Sequence, residues 1–433
     1  MKSLTLLALR KGLVSIFLIF CSHTTMGASS EYAEILDPLV EGGLLPGYYF
    51  AVYRDGNTLF ERAKGYADES EKIEPTGETL YAMMSMTKPL MGLAVLMLVE
   101  DGKLKLRDPV SKFIPEFANV GVAPGGSYDV PLEQANRGIT VFDLLTHTSG
   151  LTYSSGITGF GDVANAYRDL GLMTLESIAV SQWGDLASQT QKLTQLPLVS
   201  QPGERFIYSV SMDVLGRVVE IVSGQLLASF FSERIFEPLD MTSSSFRIPE
   251  REKERLARVY QPQIRTYPIP GNYNRYEPFS GLPKQQKNWG LSDQGYLSGG
   301  AGLISSANDY AKFIRLLADN LKIDGESLLS PELTNKYFSH QLPADLGDNP
   351  MVYSLGSAAK NAGYAFGLGV VPEKNGRLND PSTYDYFFWQ GAANTLFWVD
   401  KKSGVYGILL TQHIPIQYML TPQLEDIADR SFK

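Results

Sequence analysis

The sequence predicts an α+β fold whose sheet is assembled from both ends of the chain. Three observations point there. The β-rich run LLPGYYFAVYRDGNTLFERAKGYAD, residues 44–68, is interrupted at Asp55-Gly56-Asn57, and turn residues between two such runs mark a hairpin. Residues 141–235 read as mainly helical. From Tyr384 the chain returns to strand-like segments, YDYFFWQ and NTLFWVD around Gly391 and then GVYGILLTQ, before a terminal helix. Strands at both ends with helices between them suit an α+β arrangement.

The remaining elements follow in order. Residues 85–101 form a hydrophobic helix that stops near Gly102. The segment KLKLRDPVSKFIPEF is short and broken by Pro109 and Pro115. DVLGRVVEIVSG, residues 213–224, carries Asp213 near its start and Gly224 as a stop, both good helix-end signals. Residues 260–296 form a long loop rich in Pro, Gly, Asn and aromatics, including Tyr260, Tyr267, Tyr273, Tyr276, Phe279 and Trp289. A loop of that length is functional or disordered, and its aromatics favour an ordered wall. SGGAGLISSANDYAKFIRLLADN reads as a turn followed by a helix.

Composition narrows the function. The chain has 433 residues and a formal net charge of −9, with no basic run. That argues against a nucleic-acid partner, which needs clustered Lys and Arg. Residues 1–27 have a positive start (Lys2, Arg10, Lys11), an apolar stretch from Gly12 to Cys21 and small residues at Gly27 and Ala28. This is the pattern of a secretory signal peptide, with no stable membrane span after cleavage and a periplasmic or secreted product. Cys21 is the single cysteine and follows Phe20, which disfavours lipidation there. The four histidines (His23, His147, His340, His413) are scattered, none at ligand spacing, so no metal site is expected.

The chemistry concentrates in MMSMTKPLMGLAVLMLV, residues 83–99. Ser85 and Lys88 are three apart, so on a helix they share a face. Pro89 is tolerated in a first turn. Ser85 would sit at the positive end of the helix, where its backbone N–H can face an oxyanion. A lysine in an apolar segment has its pKa pushed down by burial, which makes a neutral amine available to activate a hydroxyl. Ser-x-x-Lys alone is weak, and Ser357-Ala-Ala-Lys360 matches it too, but in a small, polar context that gives Lys360 no reason to be buried. No Gly-x-Ser-x-Gly occurs. His147, beside Ser149 in LLTHTSGL, reads as a structural residue at a helix end.

YAMMSMTKPLMGLAVLMLVEDGKLKLRDPVSKFIPEF resembles the nucleophile helix of serine β-lactamase-like hydrolases. The SMTKP form is most similar to the family VIII carboxylesterases, which resemble class C β-lactamases. LLTHTSGL, PGERFIYSVSMDVLGRVVEIVSG, IFEPLDM, GGAGLISSANDYAKF and FFWQGAANTLFWVD follow in the same order, from about residue 45 to 415. The resemblance implies a β-lactamase/transpeptidase-like fold, an antiparallel sheet flanked by helices plus a mostly helical lobe. An α/β lobe would use residues 30–110 and 297–433, and the helical lobe residues 111–296. It implies Ser85 as the acylated nucleophile, Lys88 as its general-base partner and Tyr208 as the third member, its phenol lowered in pKa by Lys88. Which of Lys88 and Tyr208 is the acylation base stays open. Trp389-Gln390-Gly391 would stand for the Lys-Thr-Gly substrate strand, an edge strand, with the N–H groups of Ser85 and Ala392 as oxyanion hole. Gly391 would let the substrate approach closely.

Two departures make the site less polar: Trp389 replaces the lysine, and Val210 replaces an asparagine two residues after the tyrosine. Both favour a neutral ester over an anionic β-lactam. The expected function is a serine carboxylesterase acting on short- to medium-chain acyl or aryl esters through an acyl-enzyme, with a small-molecule ester as partner and no cofactor, since hydroxyl, amine and phenol suffice. The alternatives are a β-lactamase or D,D-peptidase, an acyltransferase, or a non-catalytic envelope protein on the same scaffold.

Overall fold

A computed structural model describes residues 30–155, 159, 161–172, 184–262, 276–278, 296–342, 346, 362–373, 376–378, 380–415 and 420–432. The expected leader, the Ser357/Lys360 pair, and Tyr267, Tyr273, Phe279 and Trp289 lie outside the described residues.

Strands β1 (Gly47–Arg54) and β2 (Asn57–Gly65) form the expected hairpin. It turns on Asp55 and Gly56, at φ 51° and 77°, the left-handed pair that lets a two-residue loop follow the twist of the strands. Five further strands come from the other end of the chain: β3 (Gly363–Ala365), β4 (Leu368–Pro372), β5 (Tyr384–Gly391), β6 (Thr395–Asp400) and β7 (Val405–Leu410). Their order across the antiparallel sheet is β3-β4-β5-β6-β7-β1-β2. The N-terminal hairpin therefore docks on the last strand, with Phe50 opposite Leu409.

Both faces of this sheet are covered, which is why β6 and β7 are buried along their whole length and read as continuous apolar runs. On one face Trp398 stacks on Phe50 at 6.0 Å, and Phe50 meets Tyr32 of helix α1 (residues 30–41) at 4.7 Å. On the other face Phe397 meets Tyr310 at 5.6 Å.

The remaining helices used below are α2 (Thr87–Glu100), α3 (Ser211–Ser223), α4 (Ala307–Ala318), α5 (Pro331–Phe338) and α6 (Thr421–Phe432). Tyr310 belongs to α4, and α6 packs on β6 and β7. Helix α2 is buried from Thr87 to Leu98. A helix apolar all round belongs in a protein interior, and α2 packs against α3 and α5. Each leucine so buried contributes on the order of 1.5–3 kcal/mol. Among the described residues no single helix is long and apolar enough to cross a membrane.

A short ladder pairs Leu80–Ala82 with Ile304–Ser306. It delivers the start of α2 to the segment Ser298–Leu303. The described part of the long loop forms a second ladder, Tyr260–Pro262 with Tyr276–Pro278. Tyr260 and Tyr276 meet edge to face at 5.2 Å, and both bind Glu69. These two rings pack on each other.

Candidate active site

Ser85 stands in a single 3-10 turn, Met84–Met86, one step before α2 begins. The expectation that the α-helix starts at Ser85 is corrected by two residues. The turn is clamped on all sides. Thr87 Oγ1 donates to the Met84 carbonyl at 2.7 Å, Tyr310 Oη to the Met86 carbonyl at 2.7 Å and Thr395 Oγ1 to the Met83 carbonyl at 3.2 Å. The Met83 N–H donates to the Leu303 carbonyl at 2.9 Å. Met84 is left-handed, φ 51°, a conformation uncommon outside glycine. Ser85 is the partly exposed residue of an otherwise buried turn, so its hydroxyl can meet a substrate.

Lys88 is wholly buried. Its Nζ donates to Ser85 Oγ at 3.0 Å and to the Gly300 carbonyl at 2.8 Å. Burial pushes its pKa down to about 7, and Asp213 pulls the other way. No carboxylate lies within ion-pair distance of it among the described residues. This answers what a lysine does in an apolar helix: it reaches the serine with an amine that is easily neutral.

Tyr208 joins the two. The Lys88 Nζ lies over its ring, 4.6 Å from the centroid, so the cation meets the aromatic face. The expected lowering of the phenol pKa is overturned. Burial raises it, and the proximity of the Ser85 hydroxyl and the Trp389 indole only partly offsets that. The indole N–H has no hydrogen-bond partner among the described residues, yet it lies close enough to the phenol to lower its pKa. Tyr208 is thus a neutral phenol, suited to relay a proton rather than to begin as a base.

Asp213, read from sequence only as a helix-start signal, belongs to the site. It is buried, accepts from Ser298 Oγ at 2.5 Å and from the Gly300 N–H at 3.4 Å, and burial raises its pKa. Gly300 separates it from Lys88: a Cβ there would fall 3.0 Å from Asp213 Oδ2 and 3.5 Å from Lys88 Nζ. The signal was available, since an aspartate inside an apolar helix needs a partner. Nothing in sequence tied it to Lys88. Tyr153 was also missed; its ring lies 5.7 Å from that of Tyr208 and 5.9 Å from Lys88 Nζ.

The third segment also arrives. Strand β5 is paired with β6 along Tyr386–Gly391, but its pairing with β4 ends at Phe388. It is an edge strand only at Trp389, Gln390 and Gly391. Trp389 is buried, 5.5 Å from Tyr364 and 6.2 Å from Tyr208 between ring centroids. Gln390 is buried and Ala392 partly exposed. Gly391 is required by packing: a Cβ would come 2.5 Å from the Met83 carbonyl and strike Thr395 Oγ1. Gly391 thus lies against the Ser85 turn, with Ala392 next in the chain. Val210 is wholly buried, part of the packing beneath the site.

A protein-family model described as beta-lactamase matches residues 33–415. The chain belongs to the beta-lactamase family. It is similar to Esterase EstB of Burkholderia gladioli, 31% identical over 387 residues, 87% of this chain and 88% of that one. It is similar to Acyltransferase calJ of Penicillium decumbens, 28% identical over 381 residues, 83% of this chain and 82% of that one. Among solved structures EstCE1, described as a hydrolase with promiscuous acyltransferase activity, matches with a TM-score of 0.71 at 24% identity, covering 95% of this chain and 99% of that one. That last likeness is one of fold. The expected β-lactamase/transpeptidase-like architecture stands, and the protein is a beta-lactamase-fold hydrolase or acyltransferase.

Proposed function

We propose that the protein is a serine carboxylesterase acting on neutral acyl or aryl esters of short to medium chain length, exported by the leader in residues 1–27. The observation that carries this reading is the 3.0 Å contact from the buried Lys88 amine to the exposed side of the Ser85 turn. The neutral amine takes the Ser85 proton as the oxygen attacks the ester carbonyl. The N–H groups of Ser85 and Ala392 receive the developing oxyanion. Tyr208 passes a proton to the departing alkoxide, and alcohol leaves. Water then attacks the acyl-enzyme by the reverse proton route and releases the acid. Trp389 stands where a lysine would bind a substrate carboxylate and leaves the strand it forms with Gln390 and Gly391, on the substrate side, without that cation. That favours a neutral ester over an anionic β-lactam. The likeness to Esterase EstB supports the same substrate class.

A second reading, transfer of the acyl group to an alcohol other than water, is favoured by the likeness to Acyltransferase calJ. It uses the same first half-reaction and differs only in the acceptor.

The test is hydrolysis of p-nitrophenyl butyrate beside a chromogenic cephalosporin, with the mature protein and its Ser85→Ala variant. Ester turnover that vanishes in the variant, with little cephalosporin turnover, is the expected result. Ester turnover that survives in Ser85→Ala, or faster cephalosporin than ester hydrolysis, overturns the reading. Adding a primary alcohol and measuring new ester separates transfer from hydrolysis.

A further inference from the structure

His147 makes three separate contacts around Tyr208. Its carbonyl accepts from the N–H of Ile207, the residue before, at 2.8 Å. Its Nδ1 accepts from the N–H of Ser209, the residue after, at 3.2 Å. Its ring lies against the Tyr208 ring, 4.7 Å between centroids with a 42° tilt. No other described residue holds both neighbours of Tyr208 and its ring.

The way His147 is built argues against simple filling of space. It is wholly buried and left-handed, φ 54°, a backbone state that a non-glycine residue adopts only where its surroundings impose it. Because a backbone N–H donates to Nδ1, the ring proton sits on Nε2. That Nε2 is buried with no hydrogen-bond partner among the described residues, and the ring lies 5.7 Å from that of Tyr364 and 5.9 Å from that of Phe206 between centroids. A buried donor left unpaired is costly, so the contacts on the other side of the ring must compensate. The imidazole is held neutral, well below its ordinary pKa, by burial and by the Lys88 ammonium. A string of buried hydroxyls backs it: Ser209 Oγ lies 3.2 Å from Nδ1, Ser211 Oγ 2.8 Å from Ser209 Oγ and Ser149 Oγ 2.8 Å from Ser211 Oγ. All of these are inaccessible, so this histidine and serines are no second hydrolytic centre. They are the mount on which the phenol stands.

We infer that His147 is a positioning residue for Tyr208: its neutral imidazole fixes the backbone on either side of the tyrosine and seats the ring, so that the phenol oxygen faces Ser85 in one geometry. This deepens the reading above and rests on Tyr208 relaying a proton there. A phenol free to tilt would lose proton transfer while substrate binding stays, because His147 touches no surface that a substrate reaches.

The test compares His147→Asn with His147→Gln and His147→Phe in p-nitrophenyl butyrate turnover, each also in the Tyr208→Phe background. Asparagine places its Oδ1 where Nδ1 now accepts from Ser209 and tolerates a left-handed backbone; glutamine and phenylalanine offer no acceptor there. The expected result is a fall in kcat of about 30-fold or more for the glutamine and phenylalanine variants, a large part of the roughly 100-fold or greater weight of a proton-transfer group, with KM changed less than about threefold. Asparagine keeps kcat within about fivefold, and in Tyr208→Phe the same substitutions add less than about threefold, because the group they act through is gone. Two results overturn the inference: equal kcat for folded asparagine and glutamine variants, or the same loss in Tyr208→Phe as in the parent. If the phenylalanine variant does not fold, the asparagine–glutamine pair decides alone. A Tyr208→Phe variant with full activity instead defeats the role of Tyr208, a separate and distinguishable outcome.

Discussion

The Lys88 ammonium stands over the face of the Tyr208 ring, 4.6 Å from its centroid, while its hydrogen bonds run to Ser85 and to the Gly300 carbonyl. The two candidate bases are therefore not hydrogen-bonded to one another, and their environments push them apart. Burial lowers Lys88 to about 7 and raises Tyr208.

The pH dependence follows with a definite sign. A lysine acts as base only when neutral, so kcat/KM for p-nitrophenyl butyrate rises with pH through about 7 and levels above it. No second rise occurs below pH 9, because the phenol stays protonated there. A rate profile measured from pH 5 to 9 checks this; a profile with no ascent near 7 would move the base elsewhere.

Asp213 should tune that ascent. Its charge raises the Lys88 pKa against the effect of burial. Asp213→Asn keeps the acceptor for Ser298 and Gly300 but removes the charge, so the ascending limb moves to lower pH. A limb that stays in place, in a variant with unchanged thermal unfolding, would show that Asp213 serves the fold alone.

Gly391 has no room for a side chain against the Met83 carbonyl and Thr395. Gly391→Ala must push β5 from the Ser85 turn and displace Ala392, the proposed oxyanion donor. We expect a loss of about 100-fold in kcat, the weight of one oxyanion donor. Overpacking should also cost about 1–3 kcal/mol of stability, read by denaturant unfolding. Full kcat in the folded variant would place the oxyanion donor elsewhere.

Trp389 is buried among Tyr208, Tyr364 and Phe388. Trp389→Ala leaves a large cavity and should cost about 3–5 kcal/mol in denaturant unfolding, with loss of turnover through Tyr208. A change confined to KM, with stability intact, would make it a pocket wall that the core does not need.

Much of the architecture was legible in local patterns. The Asp55-Gly56 hairpin, the apolar helix ending near Gly102, the helix stopped by Gly224 and the strands around Gly391 all stand where their turn chemistry and apolar runs placed them. The Ser85–Lys88 contact was legible for the same reason, since three residues of spacing and one turn of chain bring the two together. The pairing of Tyr260 with Tyr276 was not legible, because composition says that rings will pack but not on what.

The sequence by itself determined the candidate nucleophile, its amine and the sheet drawn from both chain ends, because those depend on spacing and periodicity. Tertiary structure alone decided the rest. It set Asp213 behind Gly300, laid Lys88 on the ring of Tyr208, raised the phenol pKa and brought His147 to both flanks of that tyrosine. The partners in each pair (Asp213 and Gly300, Lys88 and Tyr208, His147 and Tyr208) lie far apart along the chain. Which of them meet, and which way a buried group titrates, depends on distance and desolvation that only the packed fold creates.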